Sequence, residues 1–208
     1  MYRYWKRSFD LFGAAVLLCL FTPVMAIVAL LIRIKLGSPV LFKQQRPGRG
    51  ERPFSIYKFR TMADLYDANG DPLPDDKRYV PFGGAIRRLS LDELPQLINV
   101  LKGDMSLIGP RPLLLHYSPY YSERERLRFA VRPGVTGLAQ ISGRNLLSWN
   151  ERLALDAAYV ERLSLRLDLA ILCKTVLKVI RQEDVVANPG HHDLPLDAHR
   201  LQSKEGSA

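Results

Sequence analysis

The stretch LFGAAVLLCLFTPVMAIVALLI, which runs from Leu11 to Ile32, carries no charged residue and is long enough to cross a bilayer as a helix. It is too long for the apolar part of a cleaved signal peptide, and no small-residue cleavage site follows it. An apolar run of this length favours a membrane helix over a helix buried in a soluble core. The chain is therefore predicted to begin with a membrane helix.

Two features of this stretch argue against a simple crossing. Pro23 removes a backbone hydrogen bond within the helix and predicts a kink, and the hydroxyl of Thr22 can satisfy a freed carbonyl group. Both flanks are also basic, and the positive-inside rule places basic flanks on the cytoplasmic side. The flanking cations are Arg3, Lys6, Arg7, Arg33, Lys35 and Lys43. These residues fit a re-entrant helix and a kinked crossing helix equally well.

The whole chain is basic, with 30 Lys and Arg residues against 21 Asp and Glu residues and a net charge of +9 over 208 residues. This excess indicates an anionic partner, either nucleic acid, an acidic membrane surface or a phosphorylated substrate. No helix-turn-helix or RRM-like pattern is present, which argues against nucleic acid. Cys19 and Cys173 lie in apolar patterns, so we expect buried thiols and neither a disulfide nor a zinc site.

The segment from Val40 to Met62 predicts two strands joined by a turn rich in proline and glycine. Its cations are Lys43, Arg46, Arg49, Arg52, Lys58 and Arg60. A solvated hairpin, or one lying on anionic lipid headgroups, explains them as well as a phosphate site at Lys58 or Arg60 does. The polar residues that follow, 63–84, predict a surface loop.

Two adjacent acids, Asp92 and Glu93, stand in the segment SLDELP of residues 90–95. Ser90 and Glu93 have the spacing of a capping box, which predicts a helix start and no chemistry. Pro95 disagrees with this interpretation, because it would fall where a helical N–H should bond back to the first turn. We therefore expect irregular backbone at the acids or a later helix start, with the helix ending at Lys102-Gly103.

Three arginines surround the two acids: Arg87 and Arg88 precede them, and Arg111 of the motif GPRP follows them. Positive charge nearby favours the ionised form of a carboxyl group. An ionised aspartate can attack phosphorus and form an acyl phosphate, a reaction that normally needs a divalent cation and arginines at the phosphate oxygens. The acids can therefore be a helix cap or an active site.

The last third of the chain begins with a glycine-rich segment, 131–145, whose polar residues Gln140, Arg144 and Asn145 suit a loop close to a ligand. An ordinary connector explains it equally. Residues 148–180 predict one or two amphipathic helices, which either lie on a membrane surface or pack in a core.

Three motifs together resemble one family: KFRTM at 58–62, RRLSLDELPQLINVLKGDMSLIGPRP at 87–112 and VRPGVTGLAQISGRN at 131–145. They are similar to the monotopic phosphoglycosyl transferases, the bacterial sugar transferases that begin lipid-linked glycan assembly. The resemblance covers roughly residues 2–182. It is closest to the PglC type, the minimal catalytic form, from bacterial N-linked glycosylation.

The resemblance implies an α+β, mostly helical, monotopic membrane protein on the cytoplasmic face of the bacterial inner membrane. Residues 1–36 would form a re-entrant, Pro-kinked helix broken at Thr22-Pro23. Residues 37–185 would form a cytoplasmic catalytic domain with a small β-hairpin and amphipathic interfacial helices, and residues 186–208 a flexible tail.

The resemblance also implies a reaction, in which a sugar phosphate moves from a UDP-sugar to undecaprenyl phosphate and UMP is released. Asp92 matches the family's nucleophile, which forms a phosphosugar intermediate in a ping-pong course. Glu93 matches its partner, with a role in orientation, metal assistance or proton handling. Mg²⁺ is the implied cofactor, with Asp92 close to it. Arg87 and Arg111 match family arginines, the latter at a phosphate.

The implied donor is UDP-N,N′-diacetylbacillosamine, and another UDP-N-acetylated hexosamine is the alternative. Further substrate or phosphate contacts are expected from Arg88, Lys58, Arg60, Gln140, Arg144 and Asn145. Anionic lipids and downstream glycosyltransferases are expected partners, and nucleic acid is not. A non-catalytic, membrane-anchored protein that binds anions is the alternative of another class.

Overall fold

The computed structural model describes residues 2–143, 147–181 and 195–205, and this part of the chain is mostly helical, as predicted. The helices are α1 (Tyr2–Lys35), α2 (Asp75–Arg78), α3 (Pro81–Arg88), α4 (Gln96–Lys102), α5 (Glu123–Arg126), α6 (Leu138–Ser142), α7 (Trp149–Glu161), α8 (Leu165–Arg181) and α9 (Leu196–Glu205). The strands are β1 (Leu41–Pro47), β2 (Pro53–Phe59), β3 (Ser106–Ile108) and β4 (Gly134–Thr136).

Helix α1 runs for 34 residues and continues through Pro23, the position at which a break was expected. A proline at this point leaves the carbonyl of Cys19 without its usual helical donor. The Thr22 hydroxyl donates to the carbonyl oxygen of Leu18, at 2.6 Å, and not to the freed carbonyl of Cys19 as expected. This bond back to the preceding turn is of the kind that bends helices. The pair Thr22-Pro23 therefore does not end the helix.

Helix α1 is long and apolar enough to cross a membrane, and only 11% of its most apolar stretch of 18 residues is buried. The helix is thus not the core helix of a soluble protein. Large apolar side chains are exposed along α1 at Tyr4, Trp5, Phe9, Leu11, Phe12, Val16, Leu20, Ile27, Leu30, Leu31 and Ile34, and along α8 at Leu165, Leu169, Leu172, Val176, Leu177 and Ile180. The thiols of Cys19 and Cys173 are exposed on these helices, so the expectation of buried thiols was wrong.

The other side of α1 packs along the body of the protein in two places. Near its start, Ala14 joins a buried cluster with Val100 of α4 and Met105. Towards its end, Val28 and Ile32 join a second cluster with Phe59 of β2 and Ile86 of α3. Both halves of the helix are therefore attached to the same body.

Polar contacts fix the beginning of α1. The carboxylate of Asp168 on α8 accepts hydrogen bonds from the Tyr2 hydroxyl at 2.5 Å, Lys6 Nζ at 2.6 Å and the Tyr159 hydroxyl at 2.8 Å. Asp10 accepts a bond from the Ser106 hydroxyl at 2.9 Å. Because both carboxylates are buried, they need these donors, and the contacts hold α1 in one position against α8 and β3.

Strands β1 and β2 form the predicted hairpin, paired antiparallel from Leu41↔Phe59 to Pro47↔Pro53. Asn99 of α4 holds the hairpin by its side chain, which accepts a hydrogen bond from the Tyr57 N–H at 3.0 Å and donates to the Ser55 carbonyl at 2.8 Å. Helix α4 ends at Gly103, whose φ of 95° is the left-handed conformation that favours glycine. The predicted helix end is therefore confirmed.

Strands β3 and β4 form a short parallel pair, with Ser106 opposite Gly134 and Ile108 opposite Thr136. The described part of the glycine-rich segment is therefore a strand and a helix, β4 and α6, instead of an open loop. The predicted helical region 148–180 forms α7 and α8.

Helix α9 lies within the segment 186–208 for which the sequence predicts a tail. Its first residue, Leu196, is fully buried in a cluster with Tyr117 and Trp149. Arg200 pairs with Glu125 at 2.5 Å and donates to the Asn150 side chain at 2.9 Å. Leu196 and Arg200 thus attach α9 to the body.

We expect the Lys6–Asp168 contact to be the main polar anchor of α1. Breaking a buried ion pair from one side costs about 3–5 kcal/mol when the remaining charge has no other partner. Asp10, whose Oδ1 lies 3.7 Å from Lys6 Nζ, reduces that cost for Asp168→Asn. Asp168→Asn alone should therefore lower the thermal unfolding midpoint in nanodiscs by several degrees. The double variant Lys6→Met, Asp168→Asn should recover part of that loss. If the loss in the double variant equals the sum of the losses in Lys6→Met and Asp168→Asn, the two side chains do not interact.

Candidate active site

A cleft of about 760 Å³ lies between the hairpin, α3, the loop 109–112 and helices α6 and α7. Its volume is in the usual range of small-molecule sites. Seven of the residues predicted from the sequence line it, namely Lys58, Arg60, Arg87, Asp92, Glu93, Arg111 and Gln140. The cleft therefore brings together residues that are more than 80 positions apart in the chain.

The segment that holds the acids is irregular, as Pro95 indicated. Ser90 has a φ of 54° in the left-handed region, and its side chain makes no capping hydrogen bond. Residues Leu91–Glu93 form a 3₁₀ turn, and α4 begins only at Gln96. The expectation of a capping box was therefore wrong. The left-handed residue reverses the chain after α3 and places both acids in the cleft wall, at a conformational cost of about 1–2 kcal/mol.

Glu93 is held by two cations. Its Oε1 accepts from Lys58 Nζ at 2.7 Å and from Arg111 Nη2 at 2.7 Å, and its Oε2 lies 3.4 Å from Arg111 Nη1. Burial opposes ionisation of this carboxyl group, but Arg111 and Lys58 outweigh it and hold the pKa of Glu93 well below its ordinary value. Glu93 therefore stays negatively charged at all physiological pH values.

Asp92 differs from its neighbour. Within the described part of the chain, no group donates a hydrogen bond to its side chain, which faces the cleft. Burial and the adjacent charge of Glu93 raise the pKa of Asp92 to about 6, against the opposing effect of Lys58, Arg111 and Arg87. Asp92 is thus ionised at neutral pH and more basic than an ordinary aspartate.

Arg87 and Arg88 have different surroundings. Arg87 lines the cleft and its Nε donates to the Thr61 hydroxyl at 2.8 Å. A Cβ atom on Gly83 would lie 1.8 Å from the Thr61 carbonyl oxygen, so glycine is what allows α3 to approach β2 and bring Arg87 to the site. Arg88 is exposed and does not line the cleft, because successive helical residues point about 100° apart.

Arg60 lies in the cleft wall, but most of its guanidinium group is occupied. It donates to the carbonyl oxygens of Leu36 at 2.5 Å and Ser38 at 3.3 Å, and it pairs with Asp64. These bonds tie the end of α1 to the end of β2. The geometry gives Arg60 a structural role rather than a free phosphate-binding fork.

Gln140 lines the cleft from α6, and its Nε2 donates to the Val135 carbonyl at 2.9 Å. Its Oε1 is buried and finds no donor among the described residues. Arg144 and Asn145, the other two residues predicted in this segment, lie outside the described residues.

One end of the cleft was missed by sequence reasoning. Arg128 and Asp156 form an ion pair at 3.0 Å with both side chains almost completely buried. Arg128 also donates to the Arg111 carbonyl at 2.5 Å, so this pair supports the loop that carries Arg111. Burial raises the pKa of Asp156 to about 6, opposed by Arg128 and Arg152. Only the fold brings these residues to the cleft, and no local sequence signal reveals them.

One of the two acids in the cleft fits the role of a magnesium ligand. Asp92 offers carboxylate oxygens that no described residue occupies, whereas those of Glu93 are taken by Lys58 and Arg111. No cluster of three metal-binding side chains occurs in the described ranges. Mg²⁺ is commonly held by one or two carboxylates, with waters and substrate phosphates completing its coordination, and Asp92 fits that pattern.

Comparison with known proteins places this chain in a family. The family model described as bacterial sugar transferase matches residues 1–182. The uncharacterized sugar transferase EpsL of Bacillus subtilis (strain 168) is 53% identical over 180 residues, covering 86% of this chain and 89% of its own length. The UDP-glucose:undecaprenyl-phosphate glucose-1-phosphate transferase of Caulobacter vibrioides is 40% identical over 194 residues, covering 86% of this chain and 71% of its own. The UDP-N-acetylgalactosamine-undecaprenyl-phosphate N-acetylgalactosaminephosphotransferase of Aeromonas hydrophila is 39% identical over 189 residues, covering 86% and 44%. The chain belongs to the bacterial sugar transferase family.

Proposed function

We propose that this protein transfers a sugar 1-phosphate from a UDP-sugar to undecaprenyl phosphate and releases UMP. The proposal rests on the different environments of two adjacent acids. Glu93 forms ion pairs with Lys58 and Arg111, while Asp92 is ionised, unusually basic and open to the cleft. The names of the Caulobacter and Aeromonas relatives describe this class of reaction.

In the first step, an oxygen of Asp92 attacks the β-phosphorus of the donor. A bond forms between that oxygen and phosphorus, and the bond from phosphorus to the bridging oxygen breaks. UMP leaves with the bridging oxygen and its electron pair. No proton has to move, because Asp92 is already ionised at neutral pH. A phosphate oxygen of the lipid then attacks the same phosphorus and displaces Asp92 in the second step.

The cations beside the dyad suit both steps. Arg87 and Arg111 can neutralise phosphate oxygens as charge redistributes around the phosphorus. Glu93 keeps Lys58 and Arg111 together, and its negative charge helps to raise the pKa of Asp92. We assign Glu93 to positioning and electrostatic tuning rather than to proton transfer, since its own pKa is far too low for that role.

Mg²⁺ is part of this proposal, held by Asp92 and by phosphate oxygens of the substrate. Once bound, the ion would neutralise negative charge on the diphosphate.

The proposal includes a monotopic attachment to the cytoplasmic face of the inner membrane. Both halves of α1 pack on the body, and the cluster contacts leave only residues 19–23 between them. A helix needs about 20 residues to cross the hydrocarbon core, so this interval is too short for a crossing that leaves the body. The exposed apolar faces of α1 and α8 would lie in the membrane, with anionic lipids near the basic residues.

The donor sugar is proposed to be N,N′-diacetylbacillosamine, with another N-acetylated hexosamine as the alternative. The relatives named above act on glucose and on N-acetylgalactosamine, so both sugars belong in any donor panel. Later glycosyltransferases are the proposed consumers of the lipid-linked product.

The reaction is tested by UMP release from a panel of UDP-sugars with undecaprenyl phosphate and Mg²⁺. We expect release with at least one donor, and we expect Asp92→Asn to lower it by about 10³-fold or more, since an amide cannot act as the nucleophile. Asp76→Asn, at an exposed position of α2 that does not line the cleft, should retain full activity. Activity retained by Asp92→Asn would refute the nucleophile, and no release with any donor would favour the non-catalytic anion-binding alternative.

The fold of Asp92→Asn can be checked in the same preparations. A carboxyl group whose pKa is raised in the folded state costs stability once pH exceeds its ordinary value of 3.8, and the cost is complete above about 6. In EDTA at pH 8, Asp92→Asn should therefore unfold at or above the wild-type temperature, and the difference should disappear below pH 4.

Glu93→Gln should behave in the opposite way. The lowered pKa of Glu93 means that its ionised form stabilises the fold above its ordinary value of 4.5, and that this contribution is lost as pH falls below that value. Glu93→Gln should cost about 3 kcal/mol at pH 8, because Lys58 and Arg111 lose their anion. The deficit in unfolding free energy should shrink at acidic pH. Glu123→Gln, on an exposed surface, is the matched control, and a pH-independent deficit would contradict the ion-pair interpretation.

The topology is tested by labelling single cysteines with a membrane-impermeant maleimide, in a chain that carries Cys19→Ser and Cys173→Ser. Ser8→Cys and Arg52→Cys place thiols at two exposed polar positions on either side of the apolar stretch. In spheroplasts neither should react, and in inverted vesicles both should react. Labelling of the two positions from opposite sides would show that α1 crosses the membrane.

A further inference from the structure

The dyad lies between two ends of the cleft that differ in structure. One end is formed by α3 and the residues after β2, where Arg87 contacts Thr61. The other end is formed by the last part of β1, the loop 109–112 and α7, and it contains Arg46 and Arg128. Arg46 has no part in the steps described above.

The hairpin aligns its cleft-facing side chains in a row. Phe42, Gln44 and Arg46 alternate along β1 and all line the cleft, and Lys58 lies opposite Phe42. Residues two apart on a strand are about 6–7 Å apart, so Arg46 lies two such steps from the Lys58 position. Pro47, the next residue, borders a small crevice with the loop that carries Arg111. Arg46 is therefore on the Arg111 side of the dyad.

The surroundings of Arg46 leave its positive charge uncompensated. Its Nη2 donates to the neutral Gln44 side chain at 2.6 Å, while its Nε is buried and has no partner among the described residues. No acidic side chain in the described ranges pairs with it. Burial and the neighbouring Arg111 lower the pKa of Arg46 to about 10, so the group remains charged at neutral pH.

Three other cations of this cleft have an anion, whereas Arg87 donates to the neutral Thr61 hydroxyl. Lys58 and Arg111 share Glu93, and Arg128 has Asp156. A partly buried guanidinium group beside a second arginine is costly unless an anion arrives. The position of Arg46 thus indicates a second anionic group of the substrate, next to the one that Asp92 attacks.

We propose that Arg46 binds the α-phosphate of the nucleotide-sugar donor, the phosphate that departs within UMP. The inference rests on the proposed function. As the bond between the β-phosphorus and the bridging oxygen breaks, that oxygen keeps the electron pair and the α-phosphate gains one negative charge. A guanidinium group can follow that change with two parallel hydrogen bonds, and one of them would satisfy Nε.

This assignment orients the donor in the cleft. The α-phosphate and nucleoside lie towards Arg46 and Arg128, and the sugar lies towards Arg87. The attacking and leaving oxygens lie roughly in line at the phosphorus, so the lipid phosphate must approach the phosphosugar on Asp92 from the side on which UMP departed. The lipid phosphate then takes the place of the α-phosphate, and Arg46 serves both half-reactions.

Two isotope exchanges separate the half-reactions, using the donor identified by the panel. Exchange of labelled UMP into the UDP-sugar without lipid reports the first. Exchange of labelled undecaprenyl phosphate into its diphosphate-linked sugar product without UMP reports the second. We expect Arg46→Gln to slow the UMP exchange and the lipid exchange by about tenfold to a hundredfold each, because both exchanges place a phosphate at Arg46. Arg46→Lys should restore part of both exchanges. Arg52→Gln, in the exposed turn of the same hairpin, should change neither.

An unchanged UMP exchange would overturn the assignment, whether or not the lipid exchange is slowed. Absence of UMP exchange in the wild type would count against the covalent first step of the proposed function. Calorimetric binding of UMP and uridine tests Arg46 in that case as well. Arg46→Gln should weaken UMP about tenfold or more and leave uridine unchanged, and equal weakening of both would refute the phosphate contact.

Discussion

The carboxylate of Glu93 joins three parts of the chain that are distant in sequence. Lys58 reaches it from β2 and Arg111 reaches it from the loop after β3, while Glu93 itself lies in the 3₁₀ turn between α3 and α4. Removing this one anion would leave two cations facing each other in a partly buried site. The cleft exists in its observed shape because this contact holds the hairpin, the turn and the loop together.

A second set of buried carboxylates determines where the cleft lies relative to α1. The exposed face of α1 is apolar and gives no preferred position along the helix, since hydrophobic contacts are not directional. Asp168 and Asp10 are directional, because each is buried and is satisfied only when its donors are in place. A shift of α1 by one turn, about 5 Å, would separate Lys6 from Asp168. Helix α1 and the cleft are thus held at a fixed distance by polar contacts.

Sequence reasoning predicted the parts of the fold that depend on local pattern. The hairpin follows from alternating apolar residues around a proline- and glycine-rich turn, and the end of α4 follows from Gly103. Pro95 correctly indicated irregular backbone at the acids. The left-handed Ser90 was not foreseen, because serine at that position reads as a helix cap until the partner of Glu93 is known.

The arginines show why the remainder of the site needed the fold. Arg87 and Arg88 are equivalent in the sequence and differ only by a rotation about α3. Arg46 and Arg52 both belong to the basic hairpin, and only the strand register places the former in the cleft. Arg60 resembles a phosphate ligand within KFRTM, yet its bonds to Leu36 and Ser38 are structural. Charge alone therefore predicted an anionic partner, and tertiary contacts distinguish which arginine can meet it.

The adjacency of the two acids has a physical consequence for the proposed chemistry. Successive residues in a 3₁₀ turn point about 120° apart, so one side chain of the pair can face Lys58 and Arg111 while the other faces the cleft. Had Asp92 received those two hydrogen bonds, its pKa would have fallen and its oxygens would have become weaker nucleophiles. Because these bonds go to Glu93, Asp92 has a pKa of about 6. It is therefore ionised at neutral pH and still more basic than an ordinary aspartate. An arriving phosphate then competes with Glu93 for Lys58 and Arg111. The two cations attract the substrate, and the competition with Glu93 weakens the binding of UMP enough for it to leave.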